Sequence, residues 1–154
     1  MRMMIVGLLM AAPYLFAGDT SRCEPVGGSI STNFLDQAST LGVATGSLAG
    51  GVGVDIEGTS PGPSPGSLVF HNHHKWVTTG GDTIFFADAD ATAYPVPELP
   101  GLYLLSYMSG VTITGGTGRF NGASGSLQVF GSVNNNAGQI VLRYGGQVCY
   151  QSNR

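Results

Sequence analysis

Short runs of alternating apolar and polar residues, each ended by Gly, Pro or Asn, fill the chain after residue 18. A period of two is typical of a β-strand with one buried face, and regular breaks at turn residues indicate a sheet-rich domain. No segment shows a comparable helical period. We predict strands, the longer ones bent or bulged, over residues 26–33, 41–57, 67–78, 82–91, 102–114, 124–133 and 139–150.

The segments between these runs predict short turns and two longer loops. Residues 80–82 and 134–138 suit tight hairpin turns, because Gly and Asn accept positive φ angles. Residues 60–66 and 94–101 are rich in proline, which cannot donate a hydrogen bond to a strand ladder. We expect these two loops to lie at one mouth of a barrel or a sandwich.

Composition narrows the class of protein. Charged residues make up 10% of the 154 residues, against roughly 25% in most soluble domains. A hydrophobic content of 42% with a net charge of −3 argues against a disordered chain. Six Lys and Arg residues spread along the sequence form no basic patch, so we expect no nucleic-acid partner.

The first residues resemble an export signal. Arg2 supplies a positive start, residues 5–12 form an apolar run, and Ala17 offers a small residue for cleavage. The run is too short for a transmembrane helix and is followed by Pro13, so we expect no membrane span. We predict a signal peptide over 1–17, one domain over 18–154, and a secreted or periplasmic location. The alternative is an N-terminal strand.

Cys23 and Cys149 are the two cysteines of the chain, one near each end of the predicted domain. In an oxidising compartment such a pair is expected to form one disulfide. Two free buried thiols are the alternative, and they would be favoured if the N-terminal segment were not a signal.

The most distinctive segment, residues 113–125, has the sequence ITGGTGRFNGASG. It resembles the glycine-rich turn of the allene-oxide-cyclase and dirigent-like barrels, especially small exported microbial proteins with a GTGRF-x-GA-x-G stretch. Residues 44–50 and 80–85 are similar to an early strand and a middle hairpin of that group. The strand pattern predicts an all-β fold of seven to eight strands, and the resemblance implies an eight-stranded antiparallel barrel with an interior able to hold an apolar molecule. A β-sandwich is the alternative.

This segment is interpreted as a structural turn. It lacks the Gly-Lys-Ser/Thr of a phosphate loop, and a strand, not a helix, follows it, which argues against a dinucleotide site. Closely spaced glycines permit tight backbone approach, and Phe120 is its natural anchor into the core. The predicted turn residues are Gly115, Gly116, Gly118, Phe120, Gly122 and Gly125.

All three histidines lie in one short stretch, residues 71–74. On a strand, His71, His73 and Lys75 share one face. Two histidines at this spacing can approach one metal ion if Asp88 or Asp90 on a neighbouring strand supplies a third ligand. Lys75 opposes that site, and the alternative is a solvated polar strand face.

Aromatic residues are spread through the predicted strands, and a barrel of about eight strands is either filled by side chains or just wide enough for one small ligand. No nucleophile elbow accompanies a plausible triad, so catalytic residues stay unassigned. The residues predicted to contact a ligand are Trp76, Phe86, Tyr103, Tyr107 and Arg119.

These patterns predict an exported β-barrel that binds a small apolar ligand or has a structural extracellular role, without a cofactor. One alternative is a cyclase- or isomerase-like barrel that steers a reactive intermediate. Another is a metal-binding module built on His71 and His73. The sequence leaves an oligomer open.

Overall fold

The structure, a computed structural model, describes residues 21–151, and the predicted signal peptide lies outside them. These residues form ten β-strands and one 3-10 turn, Gly118–Phe120, with no α-helix in this range. The strands are β1 (Arg22–Phe34), β2 (Ser39–Ala44), β3 (Gly50–Pro61), β4 (Leu68–Thr78), β5 (Thr83–Phe86), β6 (Ala89–Pro95), β7 (Leu102–Ser106), β8 (Val111–Gly116), β9 (Ser124–Asn134) and β10 (Gln139–Tyr150).

Eight of the strands close a ring. Antiparallel pairing runs in the order β10-β1-β2-β3-β4-β5-β8-β9, and β9 pairs back onto β10. A ring of paired strands leaves no open edge, which is the defining feature of a barrel. The predicted antiparallel barrel is confirmed, and the sandwich alternative is wrong.

The remaining strands, β6 and β7, complete the wall beside β5 and β8. One edge of β4 pairs with β5 near Trp76 and with β6 over Leu68 to Asn72. In the same way β9 pairs with β8 at one end and with β7 at the other. The predicted strands 82–91 and 102–114 are therefore each two shorter strands laid end to end.

The predicted strand 41–57 is also two strands, β2 and β3, which form a hairpin. The chain turns at Gly46, which has a φ of +89°, not at the Gly50-Gly51 pair inside the predicted run. A side chain at Gly46 is also excluded by space, since its Cβ would lie 2.2 Å from the Gly27 carbonyl oxygen. The period of two continues through this turn, so alternation alone did not reveal it.

Side chains alternate between a buried interior and an exposed outer wall. Along β4, Asn72 and Trp76 are buried, while Lys75 and Val77 are exposed. The interior residues of all ten strands pack into one apolar core inside the ring. Within residues 21–151, no helix is long and apolar enough to span a bilayer.

The predicted disulfide is confirmed. Cys23 and Cys149 are directly opposed partners on β1 and β10 and are bonded to each other. Both lie on the outer side of the wall, because the neighbouring Val148 is fully buried. The bond therefore joins the first described strand to the last.

The glycine-rich segment links β8 to β9 through the 3-10 turn. Phe120 is 0% exposed and packs against the ring of Tyr150, with 5.7 Å between centroids. Gly116 has no room for a side chain, because a Cβ there would lie 2.5 Å from the Phe120 Cβ. Gly118 has a φ of +53° and lies against the Asp82 carboxylate. The segment thus places Phe120 at one end of the barrel.

Apart from residues 87–88 and 107–110, which interrupt the wall, the connecting loops fall into two groups, one at each end of the barrel. The end that holds Phe120, here called the plugged end, carries loops 45–49, 79–82 and 117–123. The opposite end, here called the open end, carries loops 35–38, 62–67, 96–101 and 135–138. The two proline-rich loops both belong to the open end, where a Cβ at Gly66 would lie 3.4 Å from Pro95 Cγ.

Candidate ligand cavity

The interior of the barrel contains a cavity of about 80 Å³. Aliphatic residues such as Ile30, Val129 and Leu142 line it together with Trp76 and Phe86. An engineered apolar cavity of about 150 Å³ in another protein admits benzene, so this space suits a smaller molecule unless side chains at its rim move. The barrel is neither completely filled nor a wide channel.

The β2–β3 loop closes the plugged end. It inserts Leu48, which is 1% exposed, and the backbone of Leu48 is bonded on both sides. Trp76 Nε1 donates to the Leu48 carbonyl at 2.7 Å, and the Leu48 N–H donates to the Tyr144 hydroxyl at 3.0 Å. Tyr144 in turn donates to the Thr45 carbonyl at 2.8 Å. Trp76 therefore lines the cavity and also holds the inserted Leu48 in place through a hydrogen bond.

The cavity reaches toward the open end. Its lining there includes Phe34, Ile56 and Phe70, which are all partly exposed. The deeper lining residues, such as Phe86 and Leu127, are buried. Phe34, Ile56 and Phe70 therefore mark the more exposed end of the cavity.

A polar cluster interrupts the apolar lining. Tyr107, only 5% exposed, lies between two side chains of β4. Its hydroxyl accepts a hydrogen bond from Asn72 Nδ2 at 3.1 Å and lies 3.0 Å from His74 Nε2. All three residues line the cavity. Because β4 alternates, Asn72 and His74 project to the same interior face as Trp76.

The hydrogen-bonding pattern fixes the tautomer of His74. Within residues 21–151, the Tyr107 hydroxyl has Asn72 and His74 as its partners. Asn72 Nδ2 can only donate, so the Tyr107 oxygen accepts that bond. The Tyr107 hydroxyl hydrogen is then best used in a bond to His74 Nε2, which accepts it. This assignment leaves the ring proton of His74 on Nδ1. That atom is buried and has no partner among the described residues.

Burial keeps the cluster uncharged at neutral pH. Desolvation lowers the pKa of His74 from its ordinary 6.5 to about 4, helped by the neighbouring His73 and opposed by Asp88. Desolvation also raises the pKa of the Tyr107 hydroxyl, and the Asn72 hydrogen bond offsets only part of that shift. The cavity therefore presents a neutral imidazole and a neutral phenol, which donate and accept hydrogen bonds but carry no charge.

The buried His74 predicts a specific loss of stability in acid. Its pKa is about 4 in the folded chain, against the ordinary 6.5 of a solvated imidazole, so the unfolded chain binds more protons between these values. The free energy of unfolding should therefore fall by about 2–3 kcal/mol from pH 7 to pH 4.5 through this residue. Urea unfolding at both pH values measures the change.

The variant His74→Phe isolates this contribution. It should show a smaller fall between pH 7 and pH 4.5, because no buried imidazole remains to be protonated. The control variant Val77→Ala, at an exposed position of the same strand without a titratable group, should retain the wild-type dependence. Equal falls in wild type and His74→Phe would contradict this explanation.

The structure brings together three of the five residues predicted to contact a ligand. Trp76, Phe86 and Tyr107 line the cavity. Tyr103 packs against the core outside that lining. Arg119 is exposed at the plugged end, where its guanidinium lies over the Phe120 ring at 4.6 Å.

The predicted metal ligands lie on the outer wall. His71 Nδ1 is 2.7 Å from an Asp90 oxygen, and His73 Nδ1 is 2.8 Å from an Asp88 oxygen. Each histidine therefore has its own aspartate partner. Lys75, further along the same face, forms an ion pair with Asp55.

Five polar residues of the lining were not predicted as ligand contacts: Thr32, Thr40, Asn72, His74 and Lys75. The alternation of β4 already placed Asn72 and His74 on the face of Trp76, so a signal for these two was present. Nothing in the local sequence marks Thr40, which projects inward from the short strand β2. Its Oγ1 is buried without a partner within residues 21–151.

Comparisons with known proteins give little further information. No protein-family model matches the sequence, and no curated protein matches it. Among solved structures, the chain is similar to a pterocarpan synthase dirigent protein at 18% identity, over 94% of this chain and 100% of that one, with a TM-score of 0.37. A likeness this low carries no argument, and the barrel assignment rests on the strand pairing.

Proposed function

We propose that this chain is an exported β-barrel that binds a small, mostly apolar molecule with an acceptor oxygen in its interior cavity. One observation carries the proposal. Two buried polar side-chain atoms without a partner in residues 21–151, His74 Nδ1 and Thr40 Oγ1, both belong to residues that line this cavity. Leaving a buried polar group unpaired costs about 1–3 kcal/mol, and a ligand that bonds to it recovers part of that cost.

Strand register places these two groups on one row of the interior. Thr40 is opposite Val54, and Val54 is opposite His74. Neighbouring strands are about 4.8 Å apart, so Thr40 and His74 are separated by roughly 10 Å along the wall. A ligand lying over Val54 is within reach of both. With its proton on Nδ1, His74 is a donor, so its partner is a carbonyl, ether or hydroxyl oxygen.

The remainder of the lining favours an uncharged ligand. No Arg, Asp or Glu lines this cavity in the described part of the chain. Lys75 contributes to the lining, but its Nζ is held by Asp55 on the outer wall. An ionised ligand would lose its hydration without gaining an opposite charge, which is unfavourable in an apolar interior.

The disulfide supports export, because such bonds persist in oxidising compartments and are rare in the cytosol. In this proposal the predicted signal peptide directs the chain out of the cytosol, and the Cys23–Cys149 bond forms there. The barrel then presents its open end to extracytoplasmic molecules.

Two probes of nearly equal shape test the site. Acetone carries an acceptor oxygen where isobutene carries a carbon, and both are smaller than benzene, as the cavity of about 80 Å³ requires. Both are expected to shift the indole N–H resonance of Trp76, the one tryptophan of the chain, because Trp76 lines the cavity. In His74→Phe, the dissociation constant of the ketone should rise about fivefold relative to that of the alkene, because one neutral hydrogen bond contributes about 1 kcal/mol.

His71→Phe is the matched control, because it makes the same replacement on the outer wall. It should leave the ratio of dissociation constants at the wild-type value. An unchanged ratio in His74→Phe would remove His74 as the recognition group. If neither probe shifts Trp76, the cavity is not a binding site, and a structural extracellular role replaces this proposal.

A cyclase- or isomerase-like barrel is the second candidate. The observation that favours it is a hydroxyl-bearing residue, Tyr107, inside a partly open lumen beside His74. Such a barrel would hold a reactive molecule in one shape and act through neutral hydrogen bonds. Native mass spectrometry can identify a co-purified ligand, and incubation of that molecule with the barrel then separates the candidates. Conversion by the wild-type barrel, and not by His74→Phe, supports the second candidate.

A further inference from the structure

The outer wall of the barrel carries two histidine–aspartate pairs side by side on β4. His71 with Asp90 and His73 with Asp88 have almost the same hydrogen-bond length, 2.7 and 2.8 Å. The side chains of both pairs are about half exposed. The two pairs therefore offer equal chemistry to solvent and differ only in what lies beside them.

A β-bulge supplies a third ligand group to one pair. The pairing of β3 with β4 shifts between Ile56 and Gly58, so Glu57 is the additional residue of the bulge. A bulge changes the direction of a side chain. One ligand atom each from Glu57, His73 and Asp88 lies within 4.8 Å of the other two. His71 and Asp90 are not part of this group.

This set of donors matches zinc. Zn²⁺ binds imidazole nitrogen and carboxylate oxygen at about 2.0–2.2 Å, so the ligand atoms of a tetrahedral site lie about 3.4 Å apart. His73 Nδ1 and the Asp88 oxygen are 2.8 Å apart, and the ligand atoms of all three residues lie within 4.8 Å of one another. The spacing of a tetrahedral site falls between these two distances. All three side chains are solvent-accessible, so rotamer changes can bring them together around an ion, and water can take the fourth position.

Local charge is also suited to a cation. Four carboxylates, a large share of the nine in the chain, lie beside the outer face of β4: Asp55, Glu57, Asp88 and Asp90. Lys75 is the cation of this surface, and it is already paired with Asp55. Glu57, Asp88 and Asp90 therefore leave a net negative surface around His73.

We propose that Glu57, His73 and Asp88 form a zinc site on the outer wall of the barrel. The site is separate from the interior cavity, because these side chains project from the opposite face of the wall. It does not depend on the ligand proposed above, so either site can fail without the other.

Calorimetric titration of the folded chain with zinc chloride tests the site. Wild type should bind one ion, and His73→Ala should bind at least about tenfold more weakly, as expected for the loss of a direct ligand. Glu57→Gln and Asp88→Asn should also weaken binding. His71→Ala is the matched control from the pair without a third group, and it should bind zinc as tightly as wild type.

Cobalt(II) gives a second readout, because a tetrahedral site produces a visible absorption band that His73→Ala should lose. Thermal unfolding of the exposed variants without metal should match wild type, which excludes misfolding as the cause. If His71→Ala weakens zinc binding as much as His73→Ala, the two histidines share one ion and the proposed set is wrong. Equal binding by all variants would also overturn it.

Discussion

Replacing Cys149 with Ser is expected to lower the free energy of unfolding by about 2–5 kcal/mol and the melting temperature by about 7–18 °C. The disulfide spans 126 residues. In the chain-entropy theory of cross-links, a loop of this length restricts the unfolded chain by up to about 5 kcal/mol. The bond also joins β1 to β10, the first and last strands of the barrel in the sequence. Thermal unfolding monitored by circular dichroism measures the change.

Two controls establish that the effect comes from the bond. Reduced wild type should melt near Cys149→Ser, and intact oxidised protein should be lighter than reduced protein by two hydrogens. Alkylation of the native protein should label neither Cys23 nor Cys149. Two alkylated thiols, or equal melting temperatures for the oxidised and reduced chains, would contradict this role of the disulfide.

Phe120→Ala is expected to cost about 3–5 kcal/mol, a large share of the roughly 5–15 kcal/mol that stabilises a typical domain. Phe120 is completely buried and fills the plugged end beside Tyr150. Its removal leaves a void beside Gly116. Gly116 has no side chain that could move into this space. Urea unfolding measures the loss.

Phe130→Ala is the matched control. Phe130 lies on the outer face of β9 and is 56% exposed. Substitutions at exposed positions usually change stability by no more than about 0.5 kcal/mol. A similar loss for Phe130→Ala and Phe120→Ala would show that burial at the plugged end does not explain the effect.

Much of the fold could be predicted because strand alternation is a local signal. The division of β4 into an inner face with Asn72 and Trp76 and an outer face with His71 and His73 follows from the period of two alone. The breaks within the wall could not be predicted from this period. Residues 87–88 separate β5 from β6 without a Gly or Pro, so only pairing with β4 reveals the interruption.

The cavity was harder to predict, because it depends on side chains that are far apart in the sequence. Tyr107 meets Asn72 and His74 across a separation of more than thirty residues. Thr40 belongs to the site only through its register with Val54. The side chain of Arg119 has the chemistry of a ligand contact. Its position at the plugged end, however, is set by the turn that buries Phe120. Whether a barrel is filled or open depends on the summed volumes of all inward residues.

A crystal structure of the protein soaked with acetone tests the proposed interior site most directly. We expect density for the ligand inside the barrel over Val54, with the ketone oxygen at about 2.9 Å from His74 Nδ1. The same soak of His74→Phe should show no ordered ketone oxygen at that position. A wild-type barrel whose interior is closed by its own side chains, or acetone bound only outside the barrel, would contradict ligand binding in the cavity.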